Sequence, residues 1–192
     1  PSRRFWTRAS GLPTSVVRSL IVETDQEGRE SLWIGTFGGL TRVVPGTWTS
    51  FDRQLGLPDN LVWSLAETPA SKSWWFGTWT GLARYREGRW RAYGPADGMP
   101  DVPIFSLAPD PREGPDALWM GTRGYGLQLM KGERAVAYPG PPDDWIYSIL
   151  IPARGPERLW VGHRAGVSAL VGGTWRSHGV AGGFRGSVVM SM

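Results

Sequence analysis

Apolar and polar positions alternate along this chain in short runs broken by Gly, Pro, Asn or Asp, and no ten-residue stretch places its apolar residues at helical spacing. Such runs predict β-strands. They also repeat. One tetrapeptide recurs as Trp33-Ile-Gly-Thr36, Trp75-Phe-Gly-Thr78, Trp119-Met-Gly-Thr122 and Trp160-Val-Gly-His163, with the tryptophans 42, 44 and 41 residues apart. Six residues after the Trp stands a Gly followed by an aliphatic residue, at Gly39-Leu40, Gly81-Leu82 and Gly166-Val167. The third copy reaches Gly126-Leu127 one residue late and so carries an insertion. A Gly-x-Trp pair opens the next run at Gly46, Gly88 and Gly173, degraded in the third copy to Gly132-Glu-Arg-Ala135. A turn follows, as in Gly11-Leu-Pro13, Gly56-Leu-Pro-Asp59 and Gly98-Met-Pro-Asp101. Last comes an aliphatic run ending in Ser and a further apolar residue, at Val16 to Leu20, Leu61 to Leu65, Pro103 to Leu107, Trp145 to Ile149 and Ser187 to Met192.

Each period thus holds four strand-like runs, which predicts one four-stranded antiparallel sheet per repeat. Both faces of such a sheet are apolar and must be covered by neighbours around an axis, and a period in the low forties is that of a β-propeller blade. A solenoid would need a shorter period or helices. The expected fold is therefore all-β, a propeller of about four complete blades. Lettering strands from the axis outward, a is the Ser-ended run, b carries Trp-x-Gly-Thr, c follows the Gly-aliphatic pair and d carries Gly-x-Trp. The complete repeats lie at about 16–52, 61–94, 103–138 and 145–178, with a leftover outer strand at 4–8 and a leftover inner strand at 187–192. The two remnants belong to different blades. They predict a segment of a larger ring with more than five blades, or a ring completed by self-association. In either case the chain by itself exposes two sheet faces.

Leu32-Trp-Ile-Gly-Thr-x-x-Gly-Leu40, together with Gly-x-Trp-x-x-Phe/Tyr and Gly-Leu-Pro-Asp-Asn60 in the same period, resembles the two-component regulator propeller repeat, and the likeness covers essentially the whole chain. The resemblance implies a seven-bladed sensor propeller of a bacterial hybrid two-component receptor. It also implies a periplasmic or extracytoplasmic position and recognition of glycans or their breakdown products. The chain departs from that pattern in its blade count, in the insertion and lost Trp of the third copy, and in having no kinase, cyclase or DNA-binding portion.

Strand polarity gathers candidate residues on one face, because the d-to-a loop precedes strand a and the b-to-c loop follows its antiparallel neighbour. Positions shared by all copies serve the architecture, whereas variable positions on a common face are where ligand preference is written. The residue after the Thr or His varies as Phe37, Trp79, Arg123 and Arg164, and Tyr125 stands beside the insertion. The d-to-a loops add Asp59, Asn60, Asp101, Asp143, Asp144 and Trp145. From these, the expected ligand-binding set is Phe37, Trp79, Arg123, Tyr125, Arg164, Asp101, Asp144 and Trp145. The aromatic rings suit stacking on a flat ligand, and the arginines suit a carboxylate or sulfate. The repeated Trp and Gly residues are expected in the packing between and within blades. In strand a, Arg18, Trp63, Phe105, Tyr147 and Met190 vary beside the serines and either line the channel or fill gaps between blades.

Composition changes this picture only by exclusion. With 192 residues, 41% hydrophobic and 20% charged, the chain is in the globular range. No run approaches the length of a membrane-spanning helix and no signal peptide opens the chain, although a leader could lie upstream. The net charge of +4 arises from 21 basic and 17 acidic residues scattered along the chain, so no nucleic-acid partner is expected. The absence of cysteine excludes disulfides and thiolate chemistry. His163 and His178 are too few for a metal cluster, and no metal or cofactor is expected. Asp25-Gln-Glu-Gly28 reads as turn chemistry, and the loop aspartates as turn caps. The leading expectation is a non-enzymatic sensor propeller binding an oligosaccharide or other small ligand on the loop face. A propeller glycosidase or lyase and a protein-docking platform are the alternatives.

Overall fold

The computed structural model describes residues 7–25, 27–141 and 143–179. They form four four-stranded antiparallel sheets, each with its strands in chain order from one edge to the other. The first holds β1 (Val17–Thr24), β2 (Glu30–Thr36), β3 (Gly39–Val44) and β4 (Thr47–Phe51). The second holds β5 (Val62–Thr68), β6 (Ser73–Thr78), β7 (Gly81–Arg86) and β8 (Arg89–Tyr93), and the third β9 (Ile104–Pro109), β10 (Leu118–Thr122), β11 (Leu127–Lys131) and β12 (Arg134–Tyr138). The fourth holds β13 (Ile146–Leu150), β14 (Glu157–His163), β15 (Gly166–Val171) and β16 (Thr174–His178). The remaining regular elements are short 3-10 turns such as Arg8–Ser10 and Pro95–Asp97, and no helix among the described residues could cross a membrane. The leftover inner strand expected at 187–192 lies outside the described residues. So do residues 4–6 of the leftover outer strand, and Arg8 opens a 3-10 turn.

Sheets stack through their apolar faces. Trp33 lies 5.2 Å from Phe76, 5.6 Å from Tyr85 and 6.0 Å from Trp74, all in the second sheet. Trp75 packs among Ile104, Leu118, Met120 and Met130 of the third, and Trp119 among Ile146, Leu159 and Val161 of the fourth. All three are 0% exposed. Each buried indole N–H has an acceptor four residues beyond the strand-a serine: Glu23 for Trp33 at 3.0 Å, Thr68 for Trp75 at 2.9 Å, Asp110 for Trp119 at 3.0 Å. The fourth tryptophan differs. Trp160 is only half-buried, stacked on His178 at 6.1 Å, with no described sheet beyond it.

The repeated glycine permits this stacking. A Cβ on Gly77 would stand 2.3 Å from Ser64 Oγ and 2.9 Å from the Ile104 carbonyl oxygen of the next blade. Gly121 meets Ser106 and Ile146 in the same way. Inner strands therefore pack β1 on β5, β5 on β9 and β9 on β13, and no comparable packing joins β13 to β1 among the described residues. The result is an open arc of blades. At one end Leu20 holds the position of Leu65, which packs against the Trp33 cluster, but with nothing described before it Leu20 is 61% exposed.

Buried polar groups tie the arc together and respond to acid. Burial pushes the Asp110 carboxyl up, but hydrogen bonds from Arg112 and Trp119 more than reverse this, leaving it below its ordinary 3.8. Arg158 of the fourth blade bonds the same carboxylate at 3.1 Å and also pairs with Glu113. His163, 1% exposed, stands where other repeats have Thr. Its Nδ1 accepts from the Ala165 N–H at 3.2 Å and its Nε2 lies 2.8 Å from Ser168 Oγ. Burial lowers its pKa below 6.5, against a smaller upward pull from Asp143.

Trp75→Ala and Trp119→Ala are each expected to cost about 3–5 kcal/mol in urea unfolding, by lost burial and a residual cavity, and Trp160→Ala clearly less. Equal losses at all three would contradict the packing described. The depressed His163 pKa means that the unfolded chain binds the proton more readily, so its contribution is full above 6.5 and is lost as pH falls through and below that value. His163→Thr should remove this first acid-sensitive step in a pH series of melting temperatures, leaving the later loss as Asp110 protonates below 3.8. An unchanged first step would exclude His163 as its origin.

Candidate functional site

A repeated irregularity in strand a builds the site. Pairing between strands a and b slips once in every blade: Val17 and Ser19 oppose Thr36 and Gly35, Val62 and Ser64 oppose Thr78 and Gly77, and Ile146 and Ser148 oppose His163 and Gly162. The third blade repeats this with Ile104 and Ser106. One residue is left over each time: Arg18, Trp63, Phe105 and Tyr147. A β-bulge of this kind re-aims a side chain out of the alternating pattern. All four turn into a common cavity at the axis, of about 680 Å³.

The b-to-c loops supply the second layer. In two-residue loops such as Trp79-Thr80, the Thr78 hydroxyl donates to the Gly81 carbonyl at 2.8 Å, closing the turn. The first loop residue then donates its N–H to the start of its own strand a: Phe37 to Val16 at 3.2 Å, Trp79 to Leu61 and Arg123 to Pro103 at 3.0 Å each. That bond holds the loop side chain beside the bulge side chain, and Phe37, Trp79 and Arg123 join the cavity wall with Leu61 and Trp145.

The wall is a continuous run of rings. Trp63 lies 5.3 Å from Phe37, 5.9 Å from Trp79 in a stacked pair and 5.2 Å from Phe105, which stacks on Tyr147 at 5.3 Å. Tyr147 meets Trp145 edge-on at 6.3 Å. Two guanidinium groups rest on these faces. Arg18 sits 4.2 Å from the Trp63 ring and 5.7 Å from Phe37, and Arg123 sits 4.6 Å from Trp145 and 5.5 Å from Trp79. Among the described residues no side-chain carboxylate lines the cavity. The Trp63 indole N–H is buried with no hydrogen-bond partner among the described residues.

Of the expected set, Phe37, Trp79, Arg123 and Trp145 come together here. Arg164 lies outside the wall, with its guanidinium 5.4 Å from the Trp145 ring and its charge taken by Asp143 at 3.3 Å. Tyr125 is 61% exposed, because the longer loop of the third copy is drawn to the next blade entry by Gly124 and Gly126 N–H bonds to the Asp144 carbonyl at 2.9 and 3.0 Å. Asp144 thus contributes its backbone, and its side chain, like that of Asp101, is exposed and outside the cavity. Asp59 and Asp143 accept from the N–H groups of Leu61 and Trp145 at 2.8 Å, in turn-capping geometry. Asp25 does the same for Glu27 and Arg29. Arg18, Trp63, Phe105 and Tyr147, left open in the sequence between channel and interblade gap, belong to the channel. No group of three His, Cys, Asp or Glu residues able to hold a metal occurs among the described residues.

Comparison with protein-family models and with curated proteins finds no match for this chain. Solved structures do match. Two are extracellular domains of putative hybrid two component systems from B. thetaiotaomicron, one at TM-score 0.75 and 21% identity over 92% of this chain, the other at 0.72 and 19% over 91%. An ancestral GH74 enzyme matches at TM-score 0.67 and 16% identity over 92% of the chain. This chain spans about a quarter of those structures: 24% of each extracellular domain and 27% of the enzyme. At such identities the likeness shows the fold, and the fold is that of a β-propeller.

Proposed function

We propose that this chain is a non-enzymatic, ligand-binding part of a sensor propeller in a bacterial two-component receptor, placed outside the cytoplasmic membrane, and that it takes a glycan or other ring-bearing small ligand in the axial cavity. The observation that carries this reading is the cavity wall: residues that differ from blade to blade, held by a backbone arrangement that does not. Flat faces at Trp63, Trp79 and Phe105 suit stacking on a sugar or planar ring. The resemblance of the Trp-x-Gly-Thr periods to the two-component regulator propeller repeat, and the likeness in fold to two extracellular sensor domains, support the sensory role.

The GH74 neighbour keeps a glycosidase in view. That chemistry requires two carboxyl groups flanking the scissile bond. The co-facial candidates do not supply them in the cavity: Asp59 and Asp143 cap turns, and Asp101 and Asp144 point elsewhere on the surface. Binding without turnover is the reading favoured by this arrangement.

Trp79→Ala removes a stacking face from a half-buried loop position and should weaken binding of a ligand found on a glycan array by about 1–3 kcal/mol in calorimetry, with little change in melting temperature. Full affinity in the variant, or a ligand seated at the hairpin face near Asp25 and Glu113, would refute the site.

A further inference from the structure

Resting on the reading that the axial cavity holds a ring-bearing ligand, we infer that this ligand is an anion, a ring carrying a carboxylate or sulfate that engages Arg18 and Arg123. A contrast within the molecule leads to it. Among the described residues six arginines lie over aromatic rings, and four of them also have a carboxylate partner: Arg42 with Glu23, Arg84 with Glu133, Arg91 with Asp97, and Arg164 with Asp143. The two exceptions are the two in the cavity. Arg18 and Arg123, both exposed, make no ion pair and no side-chain hydrogen bond among the described residues and rest on the Trp63 and Trp145 rings.

The donor inventory of the wall points the same way. Guanidinium and indole groups donate and do not accept. Of the polar side chains lining the cavity, Arg18, Arg123 and three tryptophans only donate, and the Tyr147 hydroxyl is the one that can also accept, so most acceptors must come from the occupant. A cationic ligand, which an aromatic cage would otherwise suit, meets the like charge of the two guanidinium groups beside those rings. A neutral ring would stack but leave both cations without counter-charge. An anionic ring satisfies stacking and charge together, through the charge-assisted bonds for which arginine is shaped.

The test is a titration of the intact chain with D-glucuronate, D-glucose and benzoate, followed by tryptophan emission and calorimetry. Glucuronate should bind saturably and at least ~10-fold more tightly than glucose, and Arg18→Gln and Arg123→Gln should each weaken it ~10-fold, as loss of a charged hydrogen bond does. Arg123→Lys, which keeps the charge, should retain more affinity than Arg123→Gln, and added salt should weaken glucuronate but not glucose. A response to benzoate without one to glucuronate upholds the anionic class and assigns an aromatic acid in place of a sugar acid. Equal affinity for glucose and glucuronate, or Gln variants without effect, overturns the anionic assignment and leaves the cavity as a ligand site. No saturable response to any of the three overturns both.

Discussion

The close approach of each inner strand to the glycine of the sheet behind it is the constraint on which this molecule depends. At Gly77 a single added carbon would collide with Ser64 of its own blade and with the Ile104 carbonyl of the next. Because that carbon is missing, sheets stack tightly enough for Trp33, Trp75 and Trp119 to be fully enclosed. Burying an indole leaves its N–H needing a partner, and Glu23, Thr68 and Asp110 answer at the same place in successive blades. The same crowded serine follows the bulge, so the geometry that closes the interblade contact also turns Arg18, Trp63, Phe105 and Tyr147 toward the axis. Fold and cavity are two results of one local arrangement.

The period, the four strands of each repeat and the packing role of the tryptophans were legible because each recurs in fixed register and in residue types with one physical use. The end of the arc that collects the loops was legible too, since it follows from antiparallel pairing alone. The bulge was not. A one-residue slip changes which face a side chain takes, and nothing in Arg18, Trp63, Phe105 and Tyr147 as residue types announces it; only their shared place before the serine could have. The indole acceptors were hidden for a different reason: Glu23, Thr68 and Asp110 share a position and a function but no chemistry that a motif would capture. Tyr125 and Arg164 stand outside the cavity wall through local effects that the sequence does not show, the first by where a one-residue insertion anchors its loop and the second by a buried neighbour, Asp143, that takes up its charge.

A rigid frame with interchangeable side chains at a few inward positions lets recognition vary without disturbing stability. His163, where the other repeats have Thr, shows the frame accommodating a change through hydrogen bonds with Ala165 and Ser168. Inside the cavity the demands are reversed. Arg18 and Arg123 are exposed and have no ion-pair partner among the described residues, so their charge is left to solvent or, on the reading proposed above, to an acidic ligand. Unpaired charge on a well-packed scaffold is the physical mark separating this cavity from the paired networks around Asp110 and Glu133 elsewhere in the molecule.

The claim that the axial cavity is the ligand site is tested most directly by following the indole N–H resonances of the 12 tryptophans during titration with glucuronate. The Trp63, Trp79 and Trp145 signals are expected to move together with one affinity while those of Trp33, Trp75 and Trp119, whose N–H groups are already bonded within their own blades, stay in place. Movement confined to the interblade tryptophans or to Trp48 and Trp175 on the outer strands, with the cavity signals unmoved, would contradict it.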